Sequence, residues 1–148
     1  MTLELLRQIV AGEVPGAAVG DLIGMRMVAA EEGRVTFELD AGPQHTSPPG
    51  TLHGGILCDL ADGAMGCACV SLLAEGDTFA TIELKINFLK PVWTGRLTAV
   101  GEVIKAGRTI TLCDCRVTDE GGSLVAYATS TCMTQRGEAA RVTDHQGG

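Results

Sequence analysis

Helical spacing marks the start of the chain. Apolar residues recur at every third or fourth position over 2–11, and the pattern stops at Gly12 and Pro15. This spacing predicts a short amphipathic helix over 2–11. Its apolar side is expected to pack on the outside of a larger body.

Alternating apolar and polar residues follow. The segments 21–30 and 34–39 flank the turn-like sequence Glu31-Glu32-Gly33. This arrangement predicts a β-hairpin. The segment 41–50 holds three prolines and two glycines, so it is predicted to be a loop.

The period then changes to that of a long helix, from Gly54 to about Leu73. Apolar residues cover most of its circumference, including Leu57, Ala61, Ala64, Met65, Ala68 and Leu72. A helix that is apolar nearly all round is expected to be buried.

Four segments of strand length and alternation complete the pattern: Thr78 to Lys90, Arg96 to Lys105, Thr109 to Asp119 and Ser123 to Gln135. Because the connections between them are of hairpin size, an antiparallel meander is predicted. The residues after Arg136, about 137–148, show no apolar pattern and are expected to form a flexible tail.

The order of these elements predicts an α+β fold in which a curved, six-stranded antiparallel sheet wraps around a long central helix. At 148 residues the chain is expected to form one domain. Since such a sheet leaves edge strands open, self-association as a homodimer is also expected, with a dimer of dimers as the larger assembly.

Composition narrows the class of function. The formal net charge is −7 and only five residues are aromatic, which argues against a nucleic-acid-binding surface. Residues 54–74 include Asp59 and Asp62, which argues against a membrane-spanning helix. The N-terminus lacks the pattern of a secretory signal, so a cytoplasmic protein is expected.

Six cysteines lie inside apolar segments: Cys58, Cys67, Cys69, Cys113, Cys115 and Cys132. In a chain without an export signal they are predicted to be small buried residues rather than a disulfide framework. The CxC spacings lack a second ligand pair at the distance of a zinc site, so no metal is expected.

Candidate chemistry concentrates where the loop meets the central helix. The run from Gly50 to Gly55 contains His53-Gly54-Gly55 at the predicted helix N-terminus. Free N–H groups and the positive end of the helix dipole can polarise a carbonyl oxygen there. Asp62 follows two turns later among apolar neighbours, where a carboxylate needs partners or a task.

These residues resemble the hotdog-fold acyl-CoA thioesterases of the PaaI and 4-hydroxybenzoyl-CoA type. The resemblance covers about residues 15–135 and rests on four segments, SPPGTLHGG, the LAD at 60–62, TIELKINFLKP and KAGRT. It implies a hotdog fold and the hydrolysis of an aromatic or medium-chain acyl-CoA to free acid and coenzyme A.

The resemblance also implies roles for individual residues. Asp62 would activate water as a general base, the favoured interpretation, or attack the carbonyl itself, and the N–H of Gly54 would form the oxyanion hole. Thr81 aligns with a position that orients water near the carboxylate. Ser47 stands where relatives commonly carry Asn or Gln, which puts rate and substrate choice in doubt. His53 is either catalytic or, by the favoured interpretation, a structural residue that holds the loop.

A basic tract supports a coenzyme A partner, because residues 81–108 hold five basic residues against two acidic ones in an acidic chain. Lys90 and Arg108 are the predicted phosphate contacts, with ordinary solvated charges as the alternative. The acyl pocket is predicted at a subunit interface, with Gly55 beside the carbonyl, from Leu57, Cys58, Leu60, Ala61, Pro48 and Pro49. No cofactor is expected beyond the coenzyme of the substrate.

Two other functions stay open: a hotdog protein that binds acyl-CoA without turning it over, and a hotdog hydratase or dehydratase. The hydratase motif, a catalytic His paired with an acid in a different pattern, is not found here. A non-catalytic binder would lack a working carboxylate, whereas Asp62 is present.

Overall fold

A computed structural model describes residues 1–137. Its helices are α1 (Leu3–Val10), α2 (Ala18–Ile23) and α3 (Gly54–Val70), with a short 3₁₀ turn at Pro43–His45. Its strands are β1 (Met25–Glu31), β2 (Arg34–Ala41), β3 (Thr78–Phe88), β4 (Gly95–Ala106), β5 (Ile110–Asp119) and β6 (Leu124–Gln135). Of the predicted tail, about 137–148, the structure describes Gly137 alone, so the prediction of a flexible tail lies outside the described residues.

All six strands form one antiparallel sheet in the order β1-β2-β4-β5-β6-β3. The helix α3 packs against the sheet, chiefly against β4, β2 and β5. The predicted α+β architecture, a six-stranded antiparallel sheet with a long helix packed against it, is therefore confirmed.

Burial of α3 follows from its apolar sides. Leu60, Ala61, Ala64, Met65 and Ala68 are fully buried against the sheet. Small residues allow close packing at this contact, since a Cβ added at Gly101 of β4 would lie 2.4 Å from the carbonyl carbon of one α3 alanine. The helix axis can therefore lie directly over β4.

The predicted meander is wrong in one place. The strands β4, β5 and β6 form two hairpins as predicted, but β3 pairs with β6 at the far edge of the sheet. The segment 89–94 is therefore a crossover. Its backbone is paired on the way, because Leu89 and Lys90 donate to the carbonyl of Val125, and Val92 accepts from Leu52. The segment 89–94 thus links β3 to β4 although these two strands are not neighbours in the sheet.

The predicted strand over 21–30 is also shorter than expected. Its first residues belong to α2, which ends at Gly24 with φ +85°. Glycine adopts this left-handed conformation without strain and terminates the helix, so β1 begins only at Met25.

All six cysteines are free thiols, and the four at 69, 113, 115 and 132 are buried. Within residues 1–137, no helix is long and apolar enough to cross a membrane.

Candidate active site

The first turn of α3 presents a free backbone donor. His53 caps the helix, and its Nδ1 accepts a hydrogen bond of 2.9 Å from the N–H of Gly55. The N–H of Ile56 bonds to the carbonyl of His53. The N–H of Gly54 makes no hydrogen bond to any residue in 1–137. It is therefore available to a substrate carbonyl at the positive end of the helix.

An aromatic ring lies against the backbone at Gly54. A Cβ at Gly54 would approach the Cζ atom of Phe88 to 2.8 Å. Real carbon atoms do not approach so closely, so a side chain here would displace the ring or the helix end. Phe88 had no signal in the sequence beyond its place in a strand.

The carboxylate of Asp62 lies half-buried in the middle of α3. The hydroxyl of Thr81 on β3 donates to its Oδ1 atom at 3.0 Å. Burial raises the pKa of the Asp62 carboxyl above its usual value, and the hydrogen bond from Thr81 opposes that shift. A carboxylate with a raised pKa is a stronger proton acceptor than an exposed one.

A buried thiol adjoins this pair. The Sγ atom of Cys132 on β6 lies 3.9 Å from the Thr81 hydroxyl oxygen and at the same distance from that of Ser130. Because Thr81 donates its own proton to Asp62, its oxygen can accept from the thiol. Sequence reasoning took Cys132 only as a packing residue.

Within one chain the two predicted catalytic groups do not meet. Gly54 and Asp62 are eight residues apart on α3, which at the rise of an α-helix separates them by about 12 Å. A carbonyl oxygen bound at the N–H of Gly54 is therefore out of reach of the Asp62 carboxylate of the same chain.

A cavity of about 540 Å³ opens beside the first turn of α3. Several predicted site residues line it, among them Ser47, His53, Gly54, Leu57 and Lys90, and Phe88 forms part of its wall. The structure thus brings together the predicted residues of the loop, the helix N-terminus and the segment after β3.

Two of these side chains are already engaged. The hydroxyl of Ser47 donates to the carbonyl of Thr51 at 3.0 Å, which holds the loop closed. The ammonium of Lys90 is 2.5 Å from an Asp119 carboxylate oxygen and lowers the pKa of that carboxyl. Lys90 nonetheless keeps 44% of its side-chain surface exposed.

The second predicted phosphate contact lies elsewhere. Arg108 is exposed in the turn between β4 and β5, which bonds to the end of β6 at Thr134. Lys90 bonds near the start of β6, at Val125. Nine strand residues separate the two sites by about 30 Å, so one chain does not bring Arg108 and Lys90 to the same coenzyme.

Part of the predicted acyl pocket is not possible. Leu60 and Ala61 lie on the side of α3 that is fully buried and cannot contact a substrate. Gly55 and the half-buried Cys58 stay accessible on the other side of the helix, and burial together with nearby acids raises the pKa of the Cys58 thiol. A cavity of about 300 Å³ that sequence reasoning missed lies between α1, β1 and α3, and it includes Gly63.

Comparison with known proteins identifies relatives of this chain. A model of the thioesterase superfamily matches residues 49–126, which is more than half of the chain. The 1,4-dihydroxy-2-naphthoyl-CoA hydrolase of Listeria monocytogenes is 25% identical over 116 residues, covering 78% of this chain and 94% of that protein. Human acyl-coenzyme A thioesterase 13 is 26% identical over 131 residues, covering 85% of this chain and 91% of that protein.

Solved structures agree with these relatives. A thioesterase family protein from Silicibacter pomeroyi superposes with a TM-score of 0.79 and 32% sequence identity. The superposition covers 89% of this chain and 99% of that one.

Proposed function

The chain belongs to the thioesterase superfamily and is a hotdog-fold thioester hydrolase acting on acyl-CoA; we propose that its substrates carry an aromatic or medium-chain acyl group. We further propose Asp62 as the general base and the Gly54 N–H as the oxyanion donor. The observation that carries the assignment is the half-buried carboxylate of Asp62, which lies on the helix that begins at Gly54 and accepts a hydrogen bond from Thr81 on β3.

The reaction would proceed by attack of water. The Asp62 carboxylate takes a proton from water while the water oxygen bonds to the thioester carbon. Negative charge moves to the carbonyl oxygen, which the Gly54 N–H stabilises. When this intermediate collapses, the carbon–sulfur bond breaks and the proton passes from Asp62 to the departing thiolate of coenzyme A. The chemistry needs no cofactor of its own.

A second chain is needed to complete this site. The separation of about 12 Å along α3 is bridged if Gly54 of one subunit approaches Asp62 of another. The strand β3 supports such a dimer, because it is an edge strand of 11 residues that pairs with β6 on one side only. Ile82 on that strand is 55% exposed, although it is apolar. Pairing of two β3 strands would cover this edge.

Lys90 is proposed to bind the coenzyme, since it lies at the cavity beside Gly54 and keeps much of its surface exposed. Arg108 would have to come from another subunit to reach the same coenzyme. The dimer of dimers stays a prediction.

The test is hydrolysis of a panel of acyl-CoA thioesters by the natural protein, Asp62→Asn and Gly54→Ala, with released thiol as the readout. Both variants are expected to fold and to be slow. Mixing them is the sharper measurement, because a mixed dimer has one site with both substitutions and one with neither. About a quarter of the natural activity is expected to return after random mixing of the two chains.

If mixing restores nothing although mixed dimers form, the shared site is wrong. If Asp62→Asn keeps full activity, Asp62 is not the base. Hydrolysis in H₂¹⁸O under single-turnover conditions separates base from nucleophile. A general base directs the labelled water oxygen into the released acid and leaves Asp62 unlabelled. Attack by Asp62 instead releases the thiolate and forms an acyl–Asp62 anhydride, and water that cleaves this anhydride at the Asp62 carbon puts the label into Asp62 and an unlabelled oxygen into the acid. Label found in Asp62 after one turnover therefore identifies the nucleophile.

One observation favours the binding-module alternative. The Ser47 hydroxyl, at the position where relatives carry an amide, is bonded to Thr51 rather than aimed at a substrate. An acyl-CoA that binds tightly but is never cleaved across the whole panel would support that alternative and overturn the hydrolase mechanism.

A further inference from the structure

A buried thiol lies behind the pair of Asp62 and Thr81. Cys132 on β6 is fully buried, so it cannot contact a substrate. The strand register places it directly opposite Thr81 on β3 and, on its other side, opposite Thr111 on β5. Its side chain lies on the buried face of the sheet, next to the strand that carries Thr81. The proposed mechanism assigns no part to this thiol.

Hydroxyl groups adjoin the thiol in an otherwise apolar core. The Sγ atom of Cys132 lies 3.9 Å from the hydroxyl oxygen of Thr81 and 3.9 Å from that of Ser130. Ser130 is also fully buried. Within residues 1–137 every buried side-chain oxygen and nitrogen has a hydrogen-bond partner, and the Ser130 hydroxyl has this thiol as its partner. Cys132 therefore links two hydroxyl groups.

The direction of each hydrogen bond in this chain follows from its end at Asp62. An ionised carboxylate only accepts, so Thr81 donates its single proton to the Oδ1 atom at 3.0 Å. The Thr81 oxygen can then only accept, and the thiol of Cys132 is the donor that faces it. The sulfur in turn accepts from the Ser130 hydroxyl. Donation thus runs in one direction, from Ser130 through Cys132 and Thr81 to Asp62.

The charge of Asp62 keeps the proton on Cys132. Hydrogen bonds from Cys113 and Cys69 lower the pKa of the Cys132 thiol, and burial opposes this effect. A thiolate at Cys132 would face the carboxylate of Asp62, and two like charges disfavour each other. Because a carboxyl ordinarily ionises well below a thiol, Asp62 carries the single charge and Cys132 stays a donor. Among the described residues, the other titratable side chains that face Asp62 lie on α3: Cys58, Asp59 and Cys67.

We propose that Cys132 is a positioning residue for the thioesterase reaction: its thiol donates to the Thr81 hydroxyl and keeps the proton of that hydroxyl directed at Asp62. The inference rests on the proposed function, because it concerns the base of that reaction. A hydroxyl hydrogen turns about its C–O bond until its neighbours fix it. A donor behind the Thr81 oxygen fixes it, and hydrogen bonds in such a chain strengthen one another.

Two variants separate the proton of the thiol from its volume. Cys132→Ser keeps a donor and Cys132→Ala removes it, although both side chains are smaller than cysteine. Without the donor, Thr81 bonds to Asp62 less often, so the pKa of that carboxyl rises and activity is lost as pH falls. On the acid side of the profile, kcat of Cys132→Ala is expected to fall about threefold, the preference that a weak neutral hydrogen bond gives. KM is expected to stay unchanged, and Cys132→Ser should keep most of kcat.

A second buried cysteine offers the matched control. Cys115 on β5 is also fully buried, and it lies opposite Ala128 instead of Thr81. Cys115→Ala removes the same atoms from the same core and is expected to leave the pH profile unchanged. Thermal unfolding of each variant identifies any that fail to fold.

A double variant tests whether Cys132 acts through Thr81. Thr81→Val removes the acceptor, so adding Cys132→Ala to it is expected to change the acid limb no further. A purely structural effect of the smaller side chain would instead add to the effect of Thr81→Val. Additive losses would therefore overturn the inference, as would equal profiles for Cys132→Ser and Cys132→Ala.

Spectroscopy gives a readout that needs no turnover. The infrared S–H band of Cys132 is obtained by subtracting the spectrum of Cys132→Ala from that of the natural protein. In the Thr81→Val background the same band is expected at higher frequency, because the thiol has lost its acceptor. An unshifted band would remove the contact. Thiolate absorbance in the ultraviolet that disappears in Cys132→Ala would show that Cys132 is no donor, which also overturns the inference.

The two proposals fail in different ways. If the natural protein hydrolyses acyl-CoA and Cys132→Ala leaves the acid limb unchanged, Cys132 does not position the base and only this inference fails. If no thioester is cleaved, the proposed function fails and the positioning role falls with it. The S–H band then decides whether Cys132 donates to Thr81.

Discussion

The first turn and the middle of α3 belong to one helix but offer opposite chemistry. At Gly54 the helix presents a backbone donor, a positive dipole end and no side chain. At Asp62 it presents a half-buried carboxylate held by Thr81. One helix can therefore carry both halves of a site without completing it, because the rise of about 12 Å between Gly54 and Asp62 keeps the two groups apart.

The largest expected effect comes from removing the charge in the middle of the helix. Asp62→Asn keeps the shape of the side chain but removes the base, so kcat is expected to fall by about 10³-fold. The loss of kcat is measured from the rate of thiol release with the best substrate of the panel. Asp59→Asn, an exposed acid one turn earlier on α3, is the matched control and is expected to keep most of the activity.

Adding a methyl group to the first turn is the next test. In Gly54→Ala the new Cβ meets the Phe88 ring, which moves the N–H away from the substrate, and kcat is expected to fall by about 10²-fold. The unfolding temperature distinguishes slow turnover from loss of fold.

The double variant Gly54→Ala/Phe88→Ala shows whether the ring is the cause. Part of the lost kcat should return when the ring is removed. No recovery would mean that the methyl group acts on the substrate directly.

A smaller effect is expected from the partner of the carboxylate. Thr81→Val removes a hydrogen bond that lowers the pKa of Asp62, so burial then raises that pKa further. Asp62 must be ionised to accept a proton, and activity is therefore lost as pH falls through its pKa. The acid limb of the pH–kcat profile is expected to shift to higher pH, so the loss of kcat is expected to be largest on the acid side of the profile.

Thr81→Ser keeps the hydroxyl and serves as the control for that profile. Its acid limb should stay where the natural protein has it. A Thr81→Val profile that drops evenly at all pH values would point to altered packing instead of an altered pKa.

The smallest effect is expected at the surface. Lys90→Ala removes a cation beside the cavity at Gly54 and is expected to raise KM for acyl-CoA a few-fold with kcat unchanged. Asp119→Asn weakens the ion pair of Lys90 and should lower KM instead. If the two variants change KM in the same direction, Lys90 does not bind the coenzyme.

Local patterns in the sequence were enough to predict α1, α3, the β1–β2 pair and the two hairpins of β4, β5 and β6. The resemblance to the thioesterases also placed Thr81 near the Asp62 carboxylate, and the two side chains are hydrogen-bonded in the structure. The pairing of β3 with β6 was missed, since strand order depends on contacts far apart in the chain.

The sequence did not predict several packing contacts for the same reason. The contact of Phe88 with Gly54, the Cys132 thiol beside Thr81 and the cavity at Gly63 each join residues from separate elements. Periodicity assigns a residue to one side of its own helix or strand and does not state which side chain it meets.

The place of β3 at the sheet edge also sets the order in which a nascent chain can mature. β3 ends at Phe88, but its partner strand begins only at Leu124, so α3 and β3 leave the ribosome before β6 has been made. Thr81 pairs across the strands with Cys132, near the end of β6. A ribosome-bound chain stalled before β6 would thus carry every proposed catalytic residue and still lack the strand that fixes Thr81 against Asp62.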